Sequence, residues 1–205
     1  GGGLLKEISE RGQLRQSSEG TSTKAQAQDP KITALVLAAG SSVRMGKENK
    51  LLADVNGKPM IRHVIEAITG SNAHSIIVVT GHEPNKLKNA LTDGQISFVH
   101  NPDYELGLSA SLKVGLEEVP PDSDGVLICL GDMPLLTSAI INTLIRAFDP
   151  IEGRSICIPV HGRKRGNPVL WDKSYFLEMA GISGDTGAKH VLEKYADQIV
   201  EVMLD

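Results

Sequence analysis

The segment Leu35 to Leu52, LVLAAGSSVRMGKENKLL, carries an apolar run into Gly-Ser-Ser, a basic residue, a second glycine and then Asn49-Lys50. Such a run suits a chain that leaves a buried strand and wraps polyphosphate oxygens with backbone N–H groups. Gly40 and Gly46 allow close backbone approach, Ser41 and Ser42 add hydroxyl donors, and Arg44 and Lys50 supply positive charge. The same glycines and serines would also serve an ordinary surface loop. A second motif adds to the case: Leu127 to Pro134, LICLGDMP, is an apolar strand that ends abruptly in a carboxylate. Asp132, set between Gly131 and a downstream proline, is suited to hold Mg²⁺ that also takes phosphate oxygens. Standing alone it would equally be a turn or helix-capping aspartate.

Three further stretches have the right residue types for substrate contact, each with a plainer reading beside it. Asn101 to Leu116, NPDYELGLSASLKVGL, is a strand exit, a Gly107 turn and a helix that Ser109 or Ser111 could cap; the second serine and Gly107 leave room for a base- or ribose-reading turn. Thr80-Gly81, before His82, has the same standing, and His82 could be an exposed helix-start residue. His161 to Pro168 gathers Arg163, Lys164 and Arg165 before Asn167, as either a solvated hairpin tip or a seat for an anionic acceptor. In Gly181 to Gly187, Asp185 is either a helix cap or a second carboxylate over the site.

The elements that must position these residues alternate. Strand-like runs are expected at Ile32–Leu37, Ser75–Thr80, Ile96–His100, Gly125–Leu130, Ser155–Pro159 and Ile199–Val202. Helical periodicity is expected at Pro59–Ile68, Glu83–Leu91, Ser109–Glu117, Ser138–Phe148, Lys173–Met179 and Thr186–Tyr195. This is an α/β pattern: a mainly parallel sheet covered by helices on both faces, with every candidate motif at a strand's carboxyl end, where open sheets bind ligands.

The chain has 205 residues, 40% hydrophobic content and a net charge of -4, enough for one α/β domain over residues 31–205. Residues 1–30, rich in Gly, Ser, Gln and charge, read as a flexible tail or linker. Aromatic content of 3% and mild acidity argue against a nucleic-acid partner. Cys129 and Cys157 lie in apolar runs without zinc spacing and read as reduced core residues. No apolar stretch reaches membrane-span length and no signal-peptide core opens the chain, so a cytoplasmic location is expected. Because Gly1 has no methionine before it, the chain is expected to be a piece of a longer or processed protein.

Taken in order from about Ile32 to Asp205, LAAGSSVRMGKENKLL, the S-L-x-x-G-L of Ser111 to Leu116, ICLGDMP and the late GNPVL with SGDTGA resemble the MobA-like nucleotidyltransferases. Within that family they are most similar to the branch acting as CTP:molybdopterin cytidylyltransferase. The resemblance implies a Rossmann-like, three-layer nucleotide-diphospho-sugar transferase fold, Mg²⁺ as cofactor, and CMP transfer from CTP to the phosphate of molybdopterin with release of pyrophosphate. It implies that Leu37, Ala38, Ala39, Gly40, Ser41 and Ser42 line the nucleotide, and that Arg44 meets the β- and γ-phosphates. Lys50 would sit by the α-phosphate, Ser111 would read cytosine, and Asp132 would hold the metal. Lys50, Arg44 and Asp132 are then the catalytic set. Gly46, Thr80, Gly81, Gly107 and Ser109 complete the nucleotide site, and Arg163, Arg165, Asn167 and Asp185 the acceptor site. Guanylyl-transferring relatives usually read LAGG where this chain has Leu37-Ala38-Ala39-Gly40, and the Ala39 methyl favours the smaller cytosine. GGGLLKEISERGQ resembles the end of a molybdopterin-binding domain, so that domain, fused or separate, and a client molybdoenzyme are the implied partners. Two other readings stay open: a nucleotidyltransferase for a sugar or isoprenoid-precursor phosphate, and a carrier that binds nucleotide or molybdopterin without turnover.

Overall fold

Ile32 to Ala38 is buried along its whole length, as a central strand covered on both faces requires. The computed structural model describes residues 29–40, 49–92, 94–182 and 188–204, so all but two residues of the expected tail lie outside it. In chain order the strands are β1 (Ile32–Ala38), β2 (Asp54–Val55), β3 (Lys58–Pro59), β4 (Ser75–Thr80), β5 (Ile96–His100), β6 (Gly125–Leu130), β7 (Ile156–His161), β8 (Lys164–Arg165), β9 (Val169–Asp172) and β10 (Ile199–Leu204). The helices are α1 (Met60–Thr69), α2 (Pro84–Ala90), α3 (Leu108–Glu117), α4 (Ser138–Ala147), α5 (Phe176–Ala180) and α6 (Lys189–Lys194).

The main sheet runs β5-β4-β1-β6-β9-β7-β10, with β8 folded back on β7, while β2 and β3 form a separate small hairpin. β1 pairs in parallel with both β4 and β6, β4 with β5, and β7 with β10. β9 is antiparallel to both β6 and β7, and it was not expected from the sequence. Its four residues lie inside the GNPVL motif, too short for a period-2 pattern to stand out. The sheet is therefore mixed, though mainly parallel.

β1 alternates its side chains between two cores. Ala34, Val36 and Ala38 face a cluster with Ile61, Val64 and Ile68 of α1, Leu87 of α2, and Ile141 and Leu144 of α4. Leu35 and Leu37 face the other, with Leu112 and Leu116 of α3, Met179 of α5 and Val191 of α6. The polar exception in β1, Thr33, is satisfied by the Ser75 and Ser123 hydroxyls at 2.8 and 2.7 Å.

Helix boundaries differ from expectation where local chemistry intervenes. Pro59 precedes α1 as its N-cap, because it pairs in the β2–β3 hairpin. Thr137 caps α4 by accepting the Ile140 N–H at 3.2 Å. The helix expected from Lys173 opens as a 3₁₀ turn, Lys173–Tyr175, before α5.

Cys129 and Cys157 are buried free thiols, as expected. Burial raises both thiol pKa values, that of Cys157 to about 12. No helix among the described residues is long and apolar enough to cross a membrane.

α3 approaches the sheet closely through Gly115, where an added Cβ would lie 2.5 Å from Leu35 Cδ1 and 2.9 Å from Val79 Cγ2. Gly115→Val is expected to destabilise the domain by about 2 kcal/mol through overpacking, read as a lower urea midpoint with an unchanged slope. At neutral pH, Cys129 and Cys157 are expected to react with a thiol reagent only once denaturant opens the core, as followed by absorbance.

Candidate active site

The chain passes from β1 through α1 to β4 on one side, and returns from β5 through α3 to β6 on the other side of β1. The order of connections therefore reverses between β1 and β6, the switch point at which open α/β sheets form a ligand crevice. A cavity of about 510 Å³ sits there, lined by Leu37, Ala39 and Gly40 after β1 and by Leu130, Gly131 and Asp132 after β6. Gly131 N–H donates to the Leu37 carbonyl at 3.2 Å, so the β1–β6 ladder continues up to the residue before Asp132.

The next part of the lining, Asn49-Lys50-Leu51, is fixed from below. Buried Asn49 caps the 3₁₀ turn Lys50–Leu52, its Oδ1 accepting the Leu51 N–H at 3.1 Å. Leu51 is buried against Gly131, whose missing Cβ would meet the leucine methyls at 3.0 and 3.1 Å. Held this way, Lys50 Nζ stands 3.7 Å from Asp132 Oδ2, with the two side chains 53% and 44% exposed. An ion pair so exposed contributes about 0–1 kcal/mol to stability. Its significance lies in placing a cation and a carboxylate side by side at the crevice.

The third wall runs from Tyr104 to Ser111 and contributes Tyr104, Glu105, Gly107, Leu108 and Ser111. Gly107 is the N-cap of α3 at φ +108°, a conformation that favours glycine. The helix therefore starts at Leu108, and neither Ser109 nor Ser111 caps it, contrary to one reading of the sequence. Both serines are buried inside the helix, and Ser111 lines the cavity whereas Ser109 does not.

The other candidate residues fall in several places. Thr80 and Gly81 stand outside the described lining of the cavity. The Thr80 hydroxyl is 3.2 Å from His100 Nδ1 within the sheet, and a Cβ on Gly81 would lie 2.5 Å from both the Ala39 carbonyl oxygen and Tyr104 Cβ. The absence of a side chain on Gly81 thus lets Ala39 and Tyr104 approach closely. Ala38, also outside the lining, is buried in the sheet core. Arg163 and Arg165 belong to the β7–β8 hairpin, away from the lining, and Arg165 is held by Glu201 of β10 at 2.9–3.0 Å. Asn167 is exposed two residues before Val169, which pairs with Ile128, so it stands toward the carboxyl end of β6. Ser41, Ser42, Arg44, Gly46 and Asp185 lie outside the described residues.

Asn49, Leu51, Tyr104, Glu105, Leu108, Leu130 and Gly131 join the site without having been assigned to it from the sequence. Asn49 carried a signal, an Asx residue two positions before a leucine whose N–H needs a cap. The described residues include no group of three or more His, Cys, Asp or Glu that could hold a metal ion. Glu105 and Asp132 are the carboxylates of the described lining, and Asp132 is the one that stands beside Lys50.

A domain model for the MobA-like NTP transferases matches residues 34–199, and the chain belongs to that family. The bifunctional protein GlmU of Staphylococcus saprophyticus is 34% identical over 113 residues, 55% of this chain but 25% of the relative. The chain thus spans about a quarter of the length of such curated relatives. Rv0371c of Mycobacterium tuberculosis, also solved as a complex with manganese, superimposes with a TM-score of 0.76 at 23% identity, over 86% of this chain and 89% of its own. CMP:2-keto-3-deoxy-manno-octonic acid synthetase, solved with CTP, superimposes with a TM-score of 0.64 at 14% identity, over 85% and 90%. These likenesses confirm the nucleotide-diphospho-sugar transferase fold.

Asn49→Ala is expected to cost about 1–2 kcal/mol, from a lost cap and an unsatisfied buried N–H. Asn49→Asp, which keeps the accepting oxygen, should retain most of that stability, as measured by urea unfolding.

Proposed function

We propose that this domain is a divalent-metal-dependent nucleotidyltransferase that moves CMP from CTP to the phosphate of a molybdopterin-type acceptor and releases pyrophosphate. The observation that carries the proposal is the 3.7 Å approach of Lys50 and Asp132 at the switch-point crevice. Nucleotidyl transfer asks the protein mainly for positioning and charge neutralisation. In this reading Lys50 would stabilise negative charge on the α-phosphoryl oxygens, and Arg44 would hold the departing pyrophosphate. An acceptor phosphate is already ionised at neutral pH, so no general base is required.

Asp132 suits a cation delivered with the substrate: it is one half-exposed carboxylate at an open cavity, and Mg²⁺ takes one or two carboxylates while phosphates and water complete its shell. Bound there, the ion would neutralise phosphate charge.

Three observations support CTP: the buried Ala39 methyl in the lining, the adjacent Ser111, and the CTP complex of the octonic acid synthetase. The acceptor reading rests on the motifs of the chain and on the exposed Arg163 and Asn167 at the same edge of the sheet. It implies a molybdopterin-binding domain and a client molybdoenzyme as partners. A sugar-type acceptor is the second reading, favoured by the likeness to CMP:2-keto-3-deoxy-manno-octonic acid synthetase.

Pyrophosphate release should be measured for four nucleoside triphosphates against molybdopterin, sugar 1-phosphates and an isoprenoid-precursor phosphate. CTP with molybdopterin is expected to give the highest turnover. Lys50→Ala and Asp132→Ala are each expected to lower it by about 10²–10³-fold without moving the thermal midpoint. Near-normal turnover in either variant would refute the assignment.

A further inference from the structure

Asn101 is 1% exposed and Ser111 3% exposed, and a chain of obligatory donors runs between them. The backbone N–H of Asp103 can only donate, and it lies 2.9 Å from one end of the Asn101 amide, so that end is Oδ1. The other end is therefore Nδ2, also a pure donor, and it lies 3.0 Å from Ser111 Oγ. Ser111 must accept that bond, which leaves its own hydroxyl proton to be donated elsewhere. A helical serine commonly returns that proton to a carbonyl one turn back. Ser111 makes no such bond, and no other partner for it is found among the described residues. Since Ser111 lines the cavity, the open direction is the substrate.

We infer that Asn101 is a specificity-determining positioning residue that locks the Ser111 hydroxyl as a hydrogen-bond donor facing an acceptor atom of the bound base, N3 or O2 of a pyrimidine. This rests on the cytidylyl-transfer reading of the same crevice. Asn101 never touches the nucleotide. It is itself tied to the sheet by its backbone N–H, which donates to the Thr80 carbonyl at 2.8 Å. The direction of one proton is thereby set by the fold before any base arrives, and ordering it on binding costs nothing further.

Asn101→Asp inverts the arrangement with almost no change of shape. Its carboxylate still accepts from Asp103 but takes the Ser111 proton, so that the serine shows lone pairs to the cavity. The decisive measurements are KM and kcat for CTP, together with the equilibrium Kd of CTP by dialysis, in wild type, Asn101→Asp, Ser111→Ala and the double variant. Each single variant is expected to raise KM and Kd about tenfold, the loss of one neutral hydrogen bond, with kcat nearly unchanged. In the Ser111→Ala background Asn101→Asp is expected to add nothing. If buried charge prevents Asn101→Asp from folding, the same cycle runs with Asn101→Ala, which frees the hydroxyl to rotate and should weaken CTP binding only while Ser111 is present. An unchanged Kd in Ser111→Ala, or an equal loss from the Asn101 change with and without Ser111, would overturn this inference alone. Absence of turnover of any nucleoside triphosphate by wild type would overturn the functional reading, and the Kd cycle would still decide the proton's direction.

Discussion

The parallel pairing of β1 with β6 is the constraint on which the site depends. β1 is buried throughout and β6 for most of its length, their register places Leu37 beside Leu130, and the Gly131 N–H to Leu37 carbonyl bond extends the ladder to the last residue before Asp132. One crossover leaves β1 toward β4 and the other arrives at β6 from β5, so the strand order reverses at this seam. A crevice results, and whatever each strand carries at its carboxyl end is delivered into it. β1 delivers a glycine and β6 a carboxylate.

Stability and function use different residues here. The Lys50–Asp132 pair is half exposed and contributes little to folding, but its position depends on groups that are buried. Asn49 caps the turn that carries Lys50, Leu51 fills the space above Gly131, and Gly81 lets Ala39 and Tyr104 close together. A lysine on a long flexible stem is not positioned by its own rotamer. It is positioned by the short turn beneath it, and that turn is held by one amide oxygen and one leucine.

Much of this was legible in the chain. The apolar runs at 32–37, 75–80, 96–100 and 125–130 became β1, β4, β5 and β6, and the α1, α3 and α4 stripes face the cores as their periodicity required. The strand-to-glycine and strand-to-aspartate endings were readable because a buried strand must stop where polar groups begin. β9 was hidden, since four residues cannot display alternation and its partner β6 is distant in sequence. The roles of Thr80 and Gly81 are not legible for a related reason. A threonine and glycine at a strand end look the same whether they meet a ligand or pack behind the residues that do.

Residue type and order alone determined the family pattern, the parallel α/β alternation and the two polar endings that make Lys50 and Asp132 candidates. Only the tertiary structure decided that these two side chains stand 3.7 Å apart, and that Ser111 rather than Ser109 lines the crevice. It also decided that Arg165 is occupied by Glu201. The physical reason is one of range. Strand and helix patterns follow from local periodicity and burial, which a chain displays along its length. Hydrogen-bond direction, wall position and charge pairing instead depend on which distant segments the sheet brings together, and Asn101 above Ser111 acquires its meaning only there.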